Sequence, residues 1–258
     1  VVREKLCAAF CGRFRFVTAC LLTALTFGIE TGNVHAGFTT YFGIDQGNGI
    51  PPTVPSLSLA AHDSFVGALS NVGVENFGSY PVGAPPANLA FVGSGVTATA
   101  TYLGGESINN SPDNGAFATS AANYLDSSGA RDDVISFSTG VAGVGFYVTD
   151  LSDGGTAPDQ ITIIATLVGG GTQTFTTNVT TGNSNANVLF FGVVSNSALI
   201  SQVEILNTFN TEGDVHGLDD LTVGTSSTVP EPASLAMLGI GMAVLAATKY
   251  MRRDVRRS

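Results

Sequence analysis

Gln160-Ile161-Thr162-Ile163-Ile164-Ala165-Thr166-Leu167-Val168, then Gly169-Gly170-Gly171, then Thr172-Gln173-Thr174-Phe175-Thr176-Thr177-Asn178-Val179: the reading of this stretch decides the fold class. Two runs rich in β-branched residues flank three glycines, which adopt the positive φ angles of a tight turn at no steric cost. Phe175 and Val179 alternate with threonines, as in a half-buried strand. The stretch therefore reads as a β-hairpin. Working outward, Val134–Ser138, Val144–Asp150, Ser201–Asn207 and Leu218–Val223 read as further strands, and the unbroken apolar run Val188–Val194 reads as a central one. Strands at this spacing, separated by Gly- and Asn-rich turns, predict an all-β sandwich or jelly roll.

The first half is less regular. Val96–Tyr102 alternates as a strand should, and Ala116–Leu125 suits a strand or a short helix. The proline-rich stretches Gly49–Ser56 and Tyr80–Asn88 read as loops, and so does Ile108–Asn114. No helical periodicity stands out between residues 37 and 227, a span of about 190 residues that suits one all-β domain.

Both ends have a different composition. Arg3, Lys5, Arg13 and Arg15 precede the apolar stretch Phe16–Ile29, and Val34-His35-Ala36 gives a small-x-small pattern before Gly37. Residues 1–36 thus read as a secretory signal peptide that engages the translocon and signal peptidase; the alternative is an uncleaved N-terminal anchor. Cys7, Cys11 and Cys20 all lie within this segment. The mature chain then has no disulfide, thiolate metal site or cysteine nucleophile.

Nine of the ten Lys and Arg residues lie in the two ends. Between Gly37 and Ser227, Arg131 faces sixteen acids, a net charge of −15. That balance excludes nucleic acid and anionic lipid as partners of the domain, because both require basic patches. It favours solubility outside the cell.

At the C-terminal end Val229-Pro230-Glu231-Pro232 is followed by an uncharged apolar run, Ala233–Thr248, and then by Lys249, Arg252, Arg253, Arg256 and Arg257. The run is near the lower limit for a membrane helix, which needs roughly 17 to 25 residues, and Lys249 and Tyr250 extend it at the interface. The order of motif, helix and basic tail (residues 228–258) resembles the PEP-CTERM sorting signal of Gram-negative bacteria. The resemblance implies transient anchoring in the inner membrane, cleavage by an exosortase near Pro230-Glu231-Pro232, and release to the envelope surface or outside the cell. A plain C-terminal anchor is the alternative. A second resemblance rests on Val144–Asp150, Phe190–Val193, Ile200–Ile205 and Gly217–Val223 in that order. Together they are similar to the jelly-roll domain common in PEP-CTERM secreted proteins, itself similar in style to carbohydrate-binding and concanavalin-like modules.

For chemistry, Asp219 and Asp220 before the final strand, with Glu75 as partner, form a candidate calcium site. In sandwiches of this style a carboxylate near the first and last strands can hold the ion through hard oxygen ligands. The other reading is two solvated acids at a strand end. Asp150, Asp153 and Asp159 form an acidic loop that lacks EF-hand spacing and reads as an ordinary loop. His62 and His216 are not at metal-ligand spacing, and no Gly-x-Ser-x-Gly elbow occurs. No short motif points to a pair of glycosidase carboxylates. There is no tryptophan for sugar stacking, and Tyr41, Tyr80, Tyr102, Tyr124 and Tyr147 are the remaining aromatic platforms. The chain thus reads as an exported, non-enzymatic structural or adhesive protein of the envelope or extracellular matrix that binds exopolysaccharide. The alternative is a glycan hydrolase on a concanavalin-like scaffold. A facing carboxylate pair in an open groove favours the enzyme, and a groove without one favours binding.

Overall fold

The computed structural model describes residues 37–47, 56–103, 105–113, 115–120, 122–127, 131–151, 160–177, 185–208 and 215–226. The chain divides into two units, 1–36 and 37–258, and every described residue belongs to the second. The signal peptide, Val229–Pro232, the apolar run and the basic tail lie outside the described residues. Among those that are described, no helix is long and apolar enough to cross a membrane.

Thirteen strands and one helix are present among the described residues. In chain order they are β1 (Phe38–Asp45), α1 (Leu57–Gly67), β2 (Leu69–Glu75), β3 (Asn88–Phe91), β4 (Val96–Tyr102), β5 (Ser107–Asn109), β6 (Tyr124–Ser127) and β7 (Arg131–Val141). They continue as β8 (Gly143–Thr149), β9 (Gln160–Leu167), β10 (Thr172–Thr176), β11 (Val188–Ser195), β12 (Ile200–Thr208) and β13 (His216–Ser226). A seven-stranded sheet runs β1-β11-β8-β13-β6-β5, with β2 also pairing β13; a six-stranded sheet runs β10-β9-β12-β7-β4-β3. All the pairings are antiparallel. The all-β sandwich read from the sequence is the observed architecture.

The main core lies between the sheets and includes Phe146, Val148, Leu189, Phe191, Ile163, Val203 and Ile205. β8 and β11 are buried on both faces, because a second core of Phe65, Tyr147, Val188 and Phe190 packs between the seven-stranded sheet and α1. This is the physical reason that Val188–Val194 is continuously apolar.

Four local readings are corrected. The helix α1 occurs where no helical periodicity was read: only Ser58 and Phe65 of its residues are buried, while Leu57 and Leu59 are exposed, so it has no apolar stripe. Its N-terminus is held instead by Asp45 of β1, whose Oδ1 accepts from the Leu57 N–H at 2.9 Å and whose Oδ2 accepts from the Ser58 N–H at 2.7 Å. Burial pushes the Asp45 carboxyl upward, but hydrogen bonds from Leu57, Ser58 and Ser56 outweigh it and lower the pKa. Ala116–Leu125 is neither one strand nor a helix; its end alone enters β6 at Tyr124. Ile108–Asn114 is not all loop, since Ile108 and Asn109 pair with Leu125 and Tyr124. Asp150 is no ordinary loop acid: it is fully buried at φ +64° and accepts from the Ala186 N–H at 2.7 Å. Asp153 and Asp159 lie outside the described residues.

Candidate functional site

The six-stranded sheet has one face in the core and the other open. β4, Val-Thr-Ala-Thr-Ala-Thr-Tyr, shows why: Val96, Ala98 and Ala100 are buried while Thr97, Thr99 and Thr101 are exposed. Strand period two puts successive side chains on opposite faces. Register then carries one polar row across the whole sheet. Asn88 faces Thr99, Thr99 faces Ser136, Ser136 faces Gln202, Gln202 faces Thr166, and Thr166 faces Thr172. At about 4.8 Å between strands the row spans about 24 Å. Gln202 Nε2 donates to Ser136 Oγ at 2.8 Å, confirming the shared face.

At one end of this row lies a groove of about 530 Å³ over β3, β4 and β7. Its polar wall is Asn88, Thr97, Thr99, Ser136 and Ser138, beside the apolar Leu89, Ala90, Ala98 and Phe137. No lining residue is acidic or basic. The arrangement offers neutral hydroxyl and amide groups as donors and acceptors, and no carboxylate to serve as acid, base or nucleophile. Sequence reasoning missed these residues, although the Thr97-Thr99-Thr101 alternation was a visible signal.

None of the five tyrosines lines this groove. Tyr41 packs edge-on against Phe65, and Tyr147 against Phe190. Tyr80, Tyr102 and Tyr124 donate through their hydroxyls to the backbone oxygens of Asn88, Pro86 and Ser111.

The carboxylates singled out for calcium are committed to protein donors. Between Asp219 and Thr222, β13 has one residue more than β8, and Asp220 sits in this bulge at φ +48°. Asp219 is buried. Its Oδ2 accepts from the Thr119 N–H at 2.7 Å, the Thr119 hydroxyl at 3.0 Å and the Ser120 N–H at 3.3 Å. Its Oδ1 accepts from the Asp220 N–H at 2.8 Å; Asp220 accepts from the Ser120 hydroxyl, and the Thr119 hydroxyl shares its one proton between the two carboxylates. The pair tethers the 115–120 segment to the sheet. Burial first, and then the charge of Asp220, push the Asp219 carboxyl up to about 7. Glu75 faces Leu221, the residue after Asp220, but its own donors are different. Its Oε1 accepts from the Phe77 N–H and its Oε2 from the Ala90 N–H, and the Tyr80 hydroxyl shares its one proton between Oε2 and the Asn88 carbonyl. Among the described residues no group of three or more His, Cys, Asp or Glu is placed to hold a metal ion.

Arg131, the domain's lone basic residue, is buried rather than displayed. Its Nη1 donates to Asp133 Oδ2 at 2.7 Å, its Nη2 to the Leu125 carbonyl at 3.3 Å, and its Nε to His216 Nε2 at 3.0 Å. An arginine nitrogen can only donate, so His216 Nε2 is the acceptor. Burial, reinforced by Arg131, lowers the His216 pKa well below its usual value and keeps the ring neutral. The cluster joins β7 of one sheet to β6 and β13 of the other. No part of it lines the groove.

Residues 228–257 match the PEP-CTERM protein-sorting motif. The PEP-CTERM match covers Val229–Pro232 and the Arg252, Arg253, Arg256 and Arg257 cluster, so these residues belong to a sorting signal, one that implies export to the envelope or surface. No curated protein matches the chain. Among solved structures it is similar to the K2 cleaved adhesin domain of Lys-gingipain, with 15% identity over 60% of this chain and 99% of that one, at a TM-score of 0.41. It is also similar to the CBM22-1 xylan-binding domain of Paenibacillus barcinonensis Xyn10C, with 17% identity over 50% and 87% of the two chains and a TM-score of 0.34. A third is the family 11 carbohydrate-binding module of Lic26A-Cel5E from Clostridium thermocellum, with 10% identity over 61% and 97% and a TM-score of 0.31.

Proposed function

We propose that this is an exported envelope or matrix protein, sorted by an exosortase, whose β-sandwich binds an uncharged stretch of exopolysaccharide in the groove over β3, β4 and β7. Binding, not hydrolysis, is its task. The observation that supports this reading is the groove lining: Asn88, Thr97, Thr99, Ser136 and Ser138 supply neutral hydrogen-bonding groups, and no carboxylate stands among them. Hydroxyl and amide groups can match the hydroxyls of a sugar without charge. A strongly acidic domain (−15 between Gly37 and Ser227) repels anionic glycans, which narrows the ligand to neutral ones.

The test is titration of purified protein with neutral and uronic-acid-containing polysaccharides. Binding of a neutral polymer, lost in Thr99→Val with Ser136→Ala and accompanied by no new reducing ends, is the expected result. Binding that survives the double variant sinks the groove assignment. Release of reducing ends that persists in the pure protein replaces it with a hydrolase.

A further inference from the structure

The two sides of the sandwich are finished differently. At the β3 side, the edge of the six-stranded sheet is closed. The Ala90 N–H donates to Glu75, the Asn88 carbonyl accepts from Tyr80, and Val92 exchanges both backbone bonds with Val74 of β2 at 3.1 Å. At the other side the sheet ends on β10, and among the described residues no strand pairs with its outer edge. The direction of its free groups follows from the register. Gly171 accepts from Leu167, and the Thr177 N–H donates to Ile161, so both residues bond toward β9. In an antiparallel ladder bonding alternates, so Gln173 and Phe175 also face β9. Thr172, Thr174 and Thr176 therefore present their N–H and C=O groups outward.

This edge lacks the usual protections. Thr172–Thr176 contains no lysine, no proline and no bulge, and all of it except Phe175 is exposed. Phe175 is anchored beneath against Phe38 of β1, with ring centroids 5.1 Å apart. The surrounding sequence is also unusual for this chain: from Gln160 to Val203 there is not one charged residue, in a domain of net charge −15. Nearby Val168 and Leu199 are exposed apolar side chains, joined by a Val168 N–H to Leu199 C=O bond. Two such acidic domains repel over most of their surface. They can approach closely where both are neutral.

We infer that β10 is a self-association edge, on which a second copy of this chain adds its own β10 antiparallel about a two-fold axis at Thr174. In that register Thr174 faces the partner's Thr174, and Thr172 faces the partner's Thr176, each pair exchanging both backbone bonds. The contact is isologous and closed, giving a dimer with one continuous twelve-stranded sheet rather than a fibre. The partner is fixed by charge and by edge complementarity, and no glycan is needed.

The experiment is the mass of the full chain, purified in detergent, measured by light scattering over a wide concentration range. Thr174→Pro removes the central donor where proline is tolerated on an edge, and Thr174→Glu sets two like charges opposite each other. Wild type should be a concentration-dependent dimer, and both variants should be monomers with unchanged circular dichroism. Amide exchange should slow at Thr172, Thr174 and Thr176 in the dimer alone. A wild type that stays monomeric, a dimer that survives both substitutions, or growth into open filaments overturns the proposal. If one variant fails to fold, the exchange pattern of wild type decides on its own. Loss of glycan binding in the groove variants would leave this contact untouched, so the two readings fail separately.

Discussion

Gly145 of β8 and Gly192 of β11 lie directly opposite each other, and the ring of Phe65 from α1 fills the slot their missing side chains leave. A Cβ on Gly192 would stand 2.7 Å from Phe65 Cδ2, and one on Gly145 would stand 2.8 Å from Phe190 Cζ and 3.1 Å from Phe65 Cζ. The helix is therefore docked by Phe65 in a glycine-floored pocket, with His62 against Tyr147 and Phe190, rather than by an apolar stripe. Gly192→Ala should destabilise by about 1–3 kcal/mol through overpacking. Phe65→Ala should cost about 3–5 kcal/mol through the cavity it leaves. Urea unfolding of both variants checks this, and near-neutral effects would show that α1 is not held there.

Arg131→Leu should destabilise by about 3–5 kcal/mol, because it leaves Asp133 buried without its cation. The double variant Arg131→Leu with Asp133→Leu should recover a large part of the loss, since removing both partners also removes the desolvation cost. A single variant as stable as wild type would show that the pair adds nothing.

Acidity should stabilise this domain over a defined window. Burial and Asp220 raise Asp219 to about 7, and burial, opposed by Arg131, raises Asp133 to about 6. A carboxyl with a raised folded pKa binds its proton in the folded state first. Stability is then lowest above pH 7 and grows as pH falls toward the unfolded value of about 3.9. Asp45, lowered in the fold, works the opposite way, its contribution being lost only below that value. Melting temperature should rise between pH 7.5 and 5, and Asp219→Asn should flatten the rise. A melting temperature that falls over this window contradicts the assignment.

Calcium distinguishes the two accounts of Asp219, Asp220 and Glu75. A specifically held ion stabilises by mass action, by about 2.7 kcal/mol at a hundred times its dissociation constant. Thr119 and Ser120 already occupy the Asp219–Asp220 oxygens. The expected melting response to millimolar calcium is therefore no greater than to sodium at matched ionic strength. A larger, calcium-specific rise that Asp219→Asn with Asp220→Asn abolishes would assign an ion to this pair.

Processing is testable at both ends. The mature protein should begin at Gly37 and lack the Arg252–Arg257 cluster when recovered from the cell surface. Replacing Glu231 should leave it in the inner membrane. Mass spectrometry of the surface fraction decides this, and intact Arg257 there would contradict cleavage.

The sequence by itself determined the sorting tail and the strand succession from Val134 onward. Both are local: a motif is read from adjacent residues, and a glycine-bounded β-branched run such as Gln160–Leu167 leaves the backbone few choices. Where burial depends on distant partners, the sequence was mute. Helix α1 lacked periodicity because its anchor, Phe65, is matched by glycines about 80 and 130 residues away in the ladder. Asp219 and Asp220 read as calcium ligands or solvated acids, because their donors, Thr119 and Ser120, stand a hundred residues earlier in the chain. Arg131 could not be told from a surface cation until β6, β7 and β13 closed around it. The groove and the open β10 edge likewise follow from strand order, which the tertiary structure alone decided, because register joins residues that share no local pattern.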